Sequence, residues 1–392
     1  MNMRALGLAV CLWLTLTACA AIPAQPQTMP PFEDALFKPP ATAVDTRQVL
    51  ALSPAMQQYA DTRLKPAMRH DGESALIEAL YSSGQLKLEY DAEITRTAAG
   101  AFEARAGNCL SLVLMTGAFA NYLGMPIHYR EVLSTETWTR SGALVLANRH
   151  VNLSLPRRFG APLISLGESM SNELVVDFLP SEAAAKYRVR VIPESTVIAM
   201  YVNNRAAELL AEDHLDEAYW WVREGIVSAP KYTDSYNTLG VIYQKRGNPQ
   251  AAERILRYAL VLEPENTMVM SNLIGTLNAL GRSDEARQMA LQLAAIEPYP
   301  PFHFYDLGMA ALERGDFAEA RKLLQREVRR EANQPDAHFL LAIANLYLGD
   351  QRAAQRHLAR AIDNSTTLRS RQLYSAKLDW LKSQGYEGRR GS

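Results

Sequence analysis

Three side chains in the N-terminal half of the chain, those of Cys109, His150 and Asp177, are of types that together carry out nucleophilic catalysis. A thiolate attacks a carbonyl carbon, an imidazole takes the thiol proton and returns it to the leaving group, and a carboxylate orients the imidazole. The chain order Cys, His, Asp supplies all three. The residues therefore raise the hypothesis of acyl transfer at an amide, and its strength depends on the elements that position them.

Cys109 is predicted at the first position of a helix. Gly107 and Asn108 suit a turn and an N-cap, apolar residues then recur at helical spacing, and Gly124 with Pro126 ends the pattern. The unpaired N–H groups and the positive end of the helix dipole favour thiolate over thiol at this position. The alternative is an inert cysteine buried in an apolar helix, which is the usual case for a free thiol.

The other two candidate residues lie on predicted β-strands. MPIHYREVLS, GALVLANRHVNLSLP and NELVVDFLP follow the helix and are typical of strands; the second carries His150 and the third ends at Asp177. Taken singly, His150 is as well explained as a surface or satisfied histidine, and Asp177 as a turn or cap residue. His128 competes as the base, but its place in an alternating strand favours a side chain that points to solvent.

Residues 95–185 resemble the transglutaminase-like superfamily of papain-type folds. The resemblance rests on Gly-Asn-Cys opening a helix, on NYLGMPIHYREV as helix end and next strand, on His150 on the following strand, and on Asp177 ending the strand after that. It implies an α+β domain in which Cys109 is the nucleophile, His150 the general base and acid, and Asp177 the orienting carboxylate. Leu110 stands where animal-type transglutaminases have Trp, which counts against protein cross-linking specifically.

The N-terminus predicts export and a lipid anchor. ALGLAVCLWLTLTA follows Arg4, is too short to span a membrane, and is typical of a secretory signal. It ends in LTAC at Cys19, which resembles the bacterial lipobox and implies that Cys19 carries lipid. Ala20 follows instead of Asp, which implies the outer membrane, facing the periplasm. The alternative is a plain signal peptide cut at a neighbouring alanine.

The predicted export determines which cysteine is available as a free thiol. Cys11 leaves with the signal and Cys19 is acylated, so Cys109 is predicted as the free thiol of an oxidising compartment. The Pro-rich residues 19–45 then predict an extended tether between the lipid and the first domain.

The C-terminal half repeats itself every 34 residues, starting at Ala199. Small and large apolar residues and a closing proline recur at fixed offsets, as Leu239, Gly240 and Pro264 do in the second unit. This pattern resembles the tetratricopeptide repeat over residues 199–368, as five units. Stacked helix pairs form a concave surface that binds peptides or helices, so we expect a protein partner, although the array could also serve as a brace.

Composition sets limits on the remaining functions. The formal net charge of -1 argues against nucleic acid as the partner, and the sequence holds no phosphate-binding glycine loop, zinc motif or paired cysteines, so we expect no cofactor and no metal. The predicted fold is an α+β transglutaminase-like domain followed by an all-α solenoid, mainly α overall. Its predicted divisions are a signal peptide (1–18), a tether (19–45), the thiol domain (46–195), five repeats (199–368), and a capping helix with its tail (369–392).

The predicted function is that of a periplasm-facing lipoprotein with a thiol acyl-transfer site and a partner-binding array. Amide hydrolysis is the first choice among hydrolysis, deamidation and transamidation, because nothing in the sequence marks a dedicated amine site. The alternative is a non-enzymatic scaffold for envelope assembly in which the thiol domain is inactive.

Overall fold

The computed structural model describes residues 28–71, 76–82, 89–90, 94–133, 137–141, 144–156, 173–177, 188–365 and 368–387. The predicted signal peptide and the predicted lipidation site at Cys19 lie outside these residues. None of the helices in the described ranges is both long and apolar enough to cross a bilayer.

A mixed α/β region, residues 46–192, precedes a helical array, residues 194–387. Its helices are α1 (Pro54–Tyr59), α2 (Lys65–Asp71), α3 (Ala98–Ala104) and α4 (Cys109–Tyr122). Its strands are β1 (Glu89–Tyr90), β2 (Ala106–Gly107), β3 (His128–Val132), β4 (Thr137–Ser141), β5 (Leu144–Asn148), β6 (Val151–Pro156), β7 (Glu173–Val176) and β8 (Val189–Ile192).

Four of these strands form an antiparallel sheet in the order β7, β6, β3, β8. In its second strand, Val151, Leu153 and Leu155 alternate with Asn152 and Ser154, and all five are buried. The apolar set joins the core around α4, while Asn152 and Ser154 belong to the opposite face. Strands β4 and β5 pair separately as a hairpin, and β1 and β2 form a short parallel pair.

Helix α4 lies at the centre of this core. All its residues from Leu110 to Ala120 are buried, as expected of a helix that is apolar on every side. A side chain at Gly117 would collide with the ring of Tyr129 on β3. The glycine therefore allows α4 to approach the sheet closely.

Five helix pairs follow, as the sequence period predicts. They are α5 (Glu194–Ala211) with α6 (Leu215–Ser228), α7 (Thr233–Lys245) with α8 (Pro249–Leu262), α9 (Thr267–Ala279) with α10 (Ser283–Ile296), α11 (His303–Glu313) with α12 (Phe317–Arg330), and α13 (Pro335–Tyr347) with α14 (Gln351–Asp363). Helix α15 (Leu368–Glu387) closes the array. We number the pairs repeats 1 to 5. Helix α5 begins five residues before the predicted start at 199, because it also completes the core around α4.

The turn inside each repeat explains part of the period. Gly247, Gly281, Gly315 and Gly349 stand 34 residues apart between the two helices of repeats 2 to 5, with φ between 73° and 79°. That left-handed conformation costs glycine little. In repeat 1 the corresponding turn position is occupied by Asp213, with φ 64°. The helices of a pair also approach closely, because a Cβ on Gly240 would meet Leu256 at 2.5 Å.

The first described residues pack against the outer side of repeats 1 and 2. Phe37 stacks on Tyr219 with 3.8 Å between ring centroids and is 5% exposed. The backbone N–H of Glu33 donates to the Tyr243 hydroxyl at 3.0 Å, and Arg223 donates to Asp34 at 3.0 Å. These residues fall within the predicted tether (19–45), yet from 33 to 38 the chain lies on the array instead of standing free. The buried aromatic ring within the Pro-rich stretch is the physical reason.

The array is interrupted between repeats 3 and 4. In α10 only Ala286 is buried, whereas α8 buries six side chains, and Leu291 is 69% exposed. The connection to α11 passes through Pro298, Pro300 and Pro301 to Phe302, whose φ is 63°. Repeats 4 and 5 have hydrophobic cores of their own.

The closing helix has one buried and one exposed face. Tyr374 and Leu381 are buried against repeat 5, whereas Leu373 and Trp380 are about half exposed. The Tyr374 hydroxyl bonds to Asp336 of α13, which fixes the rotation of the helix.

We predict that Phe37→Ala lowers the free energy of unfolding by about 3 to 5 kcal/mol, because the ring fills a buried site against Tyr219. Leu36→Ala, at a neighbour that is 36% exposed, is the matched control and should cost about 0.5 kcal/mol or less. Denaturant titration followed by circular dichroism measures both. Equal effects for the two variants would contradict the packing of this segment.

Candidate active site

Cys109 is the first residue of α4, as the sequence predicts, and its thiol is free and partly exposed. The Asn108 side chain caps the helix by accepting from the Ser111 backbone N–H at 2.9 Å. Its amide group donates to the Thr95 hydroxyl at 2.9 Å. The start of α4 is therefore held on both sides of the asparagine, and the thiol lies where the helix dipole favours a negative charge.

His150 and Asp177 meet beside this helix. The Nε2 atom of His150 lies 2.7 Å from Oδ1 of Asp177, and the side chains are 6% and 9% exposed. Cys109 is also close enough to His150 for its thiol to raise the pKa of the imidazole. Because Nε2 is bonded to the carboxylate, Nδ1 is the ring nitrogen left for the thiol. The structure brings together all three residues that the sequence singled out.

Asn152 holds the second oxygen of the carboxylate. Its Nδ2 donates to Oδ2 of Asp177 at 2.7 Å, and its Oδ1 accepts from Nε of Arg130 at 2.9 Å. Sequence analysis gave neither Asn152 nor Arg130 a role. The available signal was spacing, because residues 150 and 152 of a strand point to the same face.

The electrostatics favour a charged imidazole. Burial alone lowers the pKa of His150, but the hydrogen bonds to Asp177 and Cys109 and their negative charges raise it, with a net result of about 9. An imidazolium next to a sulfur stabilises the thiolate over the thiol. The arrangement thus places a charged imidazole next to the sulfur of Cys109.

The competing histidine is placed differently. His128 begins β3, its side chain is 46% exposed, and its Nδ1 lies 3.2 Å from Glu173. It is bound to a carboxylate on the surface, as its alternation in the sequence indicated. Within the described ranges, no group of three or more His, Cys, Asp or Glu residues is arranged to hold a metal ion.

The first repeat braces the cysteine helix. Glu208 of α5 accepts from the Thr95 backbone N–H at 2.8 Å, and Asn204 donates to the Thr95 hydroxyl at 3.3 Å. The same hydroxyl accepts from Asn108, the cap of α4. A two-step hydrogen-bond path therefore links the array to the residue before Cys109.

Residues of α5, α7, α9 and α10 line a cavity of about 530 Å³ on the array. Asn237 and Gln244 of α7, Met268 and Asn272 of α9, and Leu293 of α10 are among its lining residues. The lining combines amide, hydroxyl, charged and apolar side chains, and the Asn272 amide donates to the Asn237 amide oxygen at 2.8 Å. Such a lining suits an extended peptide, whose backbone needs hydrogen-bond partners and whose side chains need apolar contacts.

Comparison with known proteins identifies the array. Family models of the tetratricopeptide repeat match residues 233–262, 268–292 and 305–367. The chain contains tetratricopeptide repeats. The matched stretches lie C-terminal to Asp177, so the transglutaminase-like resemblance of residues 95–185 stays a prediction carried by the residues themselves.

The relatives share only this part. Type IV pilus assembly protein PilF of Pseudomonas aeruginosa is 27% identical over 135 residues, which are 34% of this chain and 54% of that protein. Human tetratricopeptide repeat protein 7B is 30% identical over 128 residues, 31% of this chain and 15% of that protein. The chain therefore spans about half or less of the length of these relatives.

Solved structures with similar repeats include P. aeruginosa PilF, at 19% identity and a TM-score of 0.27 over 50% of this chain and 93% of that one. YrrB, a repeat protein with a peptide-binding site, gives 19% identity and a TM-score of 0.25 over 46% of this chain and 92% of that one.

We predict that Asp177→Asn lowers the pKa of His150 from about 9, because the carboxylate charge is lost. A raised histidine pKa contributes stability that is fully present below the unfolded value of about 6.5 and is lost as pH rises through about 9. The substitution should therefore destabilise the protein more at acid than at alkaline pH. NMR titration of the His150 ring measures the pKa, with Asp284→Asn, 91% exposed, as the control. An unchanged titration would contradict the pairing.

Proposed function

We propose that this protein is a thiol-dependent acyl-transfer enzyme, with amide hydrolysis as the first reaction, and that its repeats hold a protein or peptide partner. The observation that carries the proposal is the placement of the buried His150 between Cys109 and Asp177. A transglutaminase-like domain over residues 46–195 is part of the proposal.

In the proposed first step, Sγ of Cys109 attacks the carbonyl carbon of a substrate amide. The C–S bond forms first and gives a tetrahedral intermediate; the C–N bond then breaks, and His150 transfers the proton taken from the thiol to the leaving amine. In the second step, His150 takes a proton from water, whose oxygen attacks the thioester. A C–O bond forms, the C–S bond breaks, and the proton returns to the thiolate. Asp177 stays ionised and orients the ring throughout.

The tetrahedral intermediates carry a negative oxygen that needs donors. The backbone N–H of Cys109 is at the first position of α4, where helix geometry provides no intrahelical acceptor. It is our candidate for one oxyanion donor, and the helix dipole adds a favourable field. Hydrolysis, deamidation and transamidation share this first step and differ only in the molecule that resolves the thioester.

The repeats are proposed to present the partner. The cavity on the array supports this role, since its amide side chains can bond to a peptide backbone. We also propose that Cys19 carries lipid and that the protein is anchored in the outer membrane and faces the periplasm, as the LTAC sequence implies. Nucleic acid is not proposed as a partner.

A second candidate function is a non-enzymatic scaffold for envelope assembly. The similarity to PilF, named as a type IV pilus assembly protein, favours it. In that case the repeats recruit partners and the thiol site does no chemistry. The two functions differ in whether Cys109 is required.

We predict that iodoacetamide labels Cys109 in the native protein at about pH 6 at least about tenfold faster than in urea, because His150 stabilises the thiolate. Mass spectrometry of the Cys109 peptide measures both rates, and His150→Ala should remove the difference. Labelling no faster than in the denatured protein would contradict the enzymatic proposal.

We predict that Cys109→Ser abolishes acyl transfer but keeps partner binding, because the substitution leaves the array unchanged. Co-purification of the partner with this variant measures binding. Asn237→Ala, in the lining of the cavity, is the complementary variant, which should weaken partner binding and leave the thiol site unchanged. Full function in cells with Cys109→Ser would favour the scaffold.

A further inference from the structure

Arg149, directly before His150, is held by carboxylates from three different elements. Its Nε lies 2.8 Å from Oδ2 of Asp234, and its Nη2 lies 3.0 Å from Oδ1 of the same residue. Its Nη1 donates to Glu131 at 3.0 Å, and its Nη2 donates to Glu263 at 3.3 Å. The arginine side chain is 15% exposed. A bidentate pair at this burial fixes the direction of the guanidinium as well as its charge.

Two of these carboxylates belong to repeat 2. Asp234 is in the first turn of α7 and also accepts from the Tyr232 hydroxyl at 3.0 Å, while Glu263 follows the end of α8. Glu131 is on β3 of the sheet, is 2% exposed, and also pairs with Arg190 of β8. The network therefore joins the sheet to the array at a point one residue from His150.

The side chains of Arg149 and His150 are held by two different sets of partners. Arg149 and His150 form the two-residue connection between β5 and β6. The Arg149 side chain contacts repeat 2, and the His150 side chain contacts Asp177 and lies near Cys109. The His150 carbonyl also accepts from the Val132 backbone N–H at 2.9 Å. A rotation of this segment would disturb both sets of contacts at once.

We propose that Arg149 is a positioning residue that couples repeat 2 to the thiol site by fixing the backbone of His150. The inference rests on the proposed function, because it gives the repeats a part in setting the reactivity of Cys109. Asp234 acts through Arg149, so a change in repeat 2 alters the imidazole without altering any residue of the triad.

Among the described residues, the following charged groups surround this segment, and Arg130 of β3 additionally acts on Asp177. His150 faces Asp177 after β7 and Cys109 at the start of α4. Arg149 faces Glu131 of β3, Asp234 and Tyr232 at the start of α7, and Glu263 after α8. Arg190 of β8 also binds Glu131. A pH profile of Cys109 reactivity therefore reports on His150, with Arg149 and its carboxylates as the neighbouring network.

The test is the rate of Cys109 alkylation by iodoacetamide as a function of pH in the full chain. Asp234→Asn removes the bidentate partner and should move the midpoint of the profile to higher pH by about one pH unit, because a less firmly held imidazole stabilises the thiolate less; this is about tenfold in rate on the slope of the profile. Glu253→Gln is the matched control. The Glu253 carboxylate, on α8, is largely buried and pairs with Arg257 at 2.8 Å and with Arg282 at 2.5 Å, both within the array. Its loss should leave the pH profile of Cys109 alkylation unchanged.

Two further variants keep the result interpretable. Arg149→Lys retains the charge but loses the bidentate hydrogen bonding of the guanidinium. The midpoint of its pH profile should therefore lie between the midpoints of the wild type and of Asp234→Asn. Should Asp234→Asn fail to fold, Glu263→Gln removes a more exposed partner and should shift the profile in the same direction by less.

The outcomes separate the two proposals. A wild-type rate at acid pH no faster than in urea overturns the proposed function and the coupling together. A fast wild-type rate with an Asp234→Asn profile that coincides with it overturns the coupling alone. A shift in Asp234→Asn that is absent in Glu253→Gln supports the coupling.

Discussion

Helix α5 belongs to two hydrophobic cores, and the rest of the structure depends on this sharing. Val197, Met200 and Tyr201 in its first half are buried with α4 and the sheet. Ala206, Leu209 and Leu210 in its second half are buried with repeats 1 and 2. A rigid helix packed at both ends fixes the position of one core relative to the other. The contacts from the array to the cysteine helix require this fixed geometry.

The candidate site places several polar and charged side chains in the protein interior. An isolated buried charge is unfavourable, so each group here has partners: Asp177 accepts from His150 and Asn152, and Asn152 accepts from Arg130. Because both carboxylate oxygens are used, Asp177 has little freedom to turn away from the ring. The candidate site is therefore preorganised, as the proposed chemistry would require.

Much of this could be predicted from local sequence. The position of Cys109 follows from Asn108 as an N-cap, and the helix pairs follow from a strict period, because both depend on neighbours along the chain. The packing of Phe37, the fork of Arg149 and the role of Asn152 could not be predicted in the same way. Each depends on a partner far away in sequence, such as Tyr219, Asp234 or Asp177, and an isolated sequence does not show which distant groups meet. Strand β8 was missed for the same reason, since its VRVI becomes a strand by pairing with β3.

The proline-rich break between repeats 3 and 4 divides the array energetically. In a stack of repeats each unit is stabilised by its neighbours, and stability is close to a sum over interfaces. A thin interface next to α10 therefore separates two cooperative blocks: repeats 1 to 3, joined to the α/β region, and repeats 4 and 5 with the closing helix. The second block can open by local unfolding while the first keeps its hydrogen-exchange protection. Pro298, Pro300 and Pro301 at the break also line the cavity, so opening of the second block would change the shape of the cavity without loss of the contacts around Cys109.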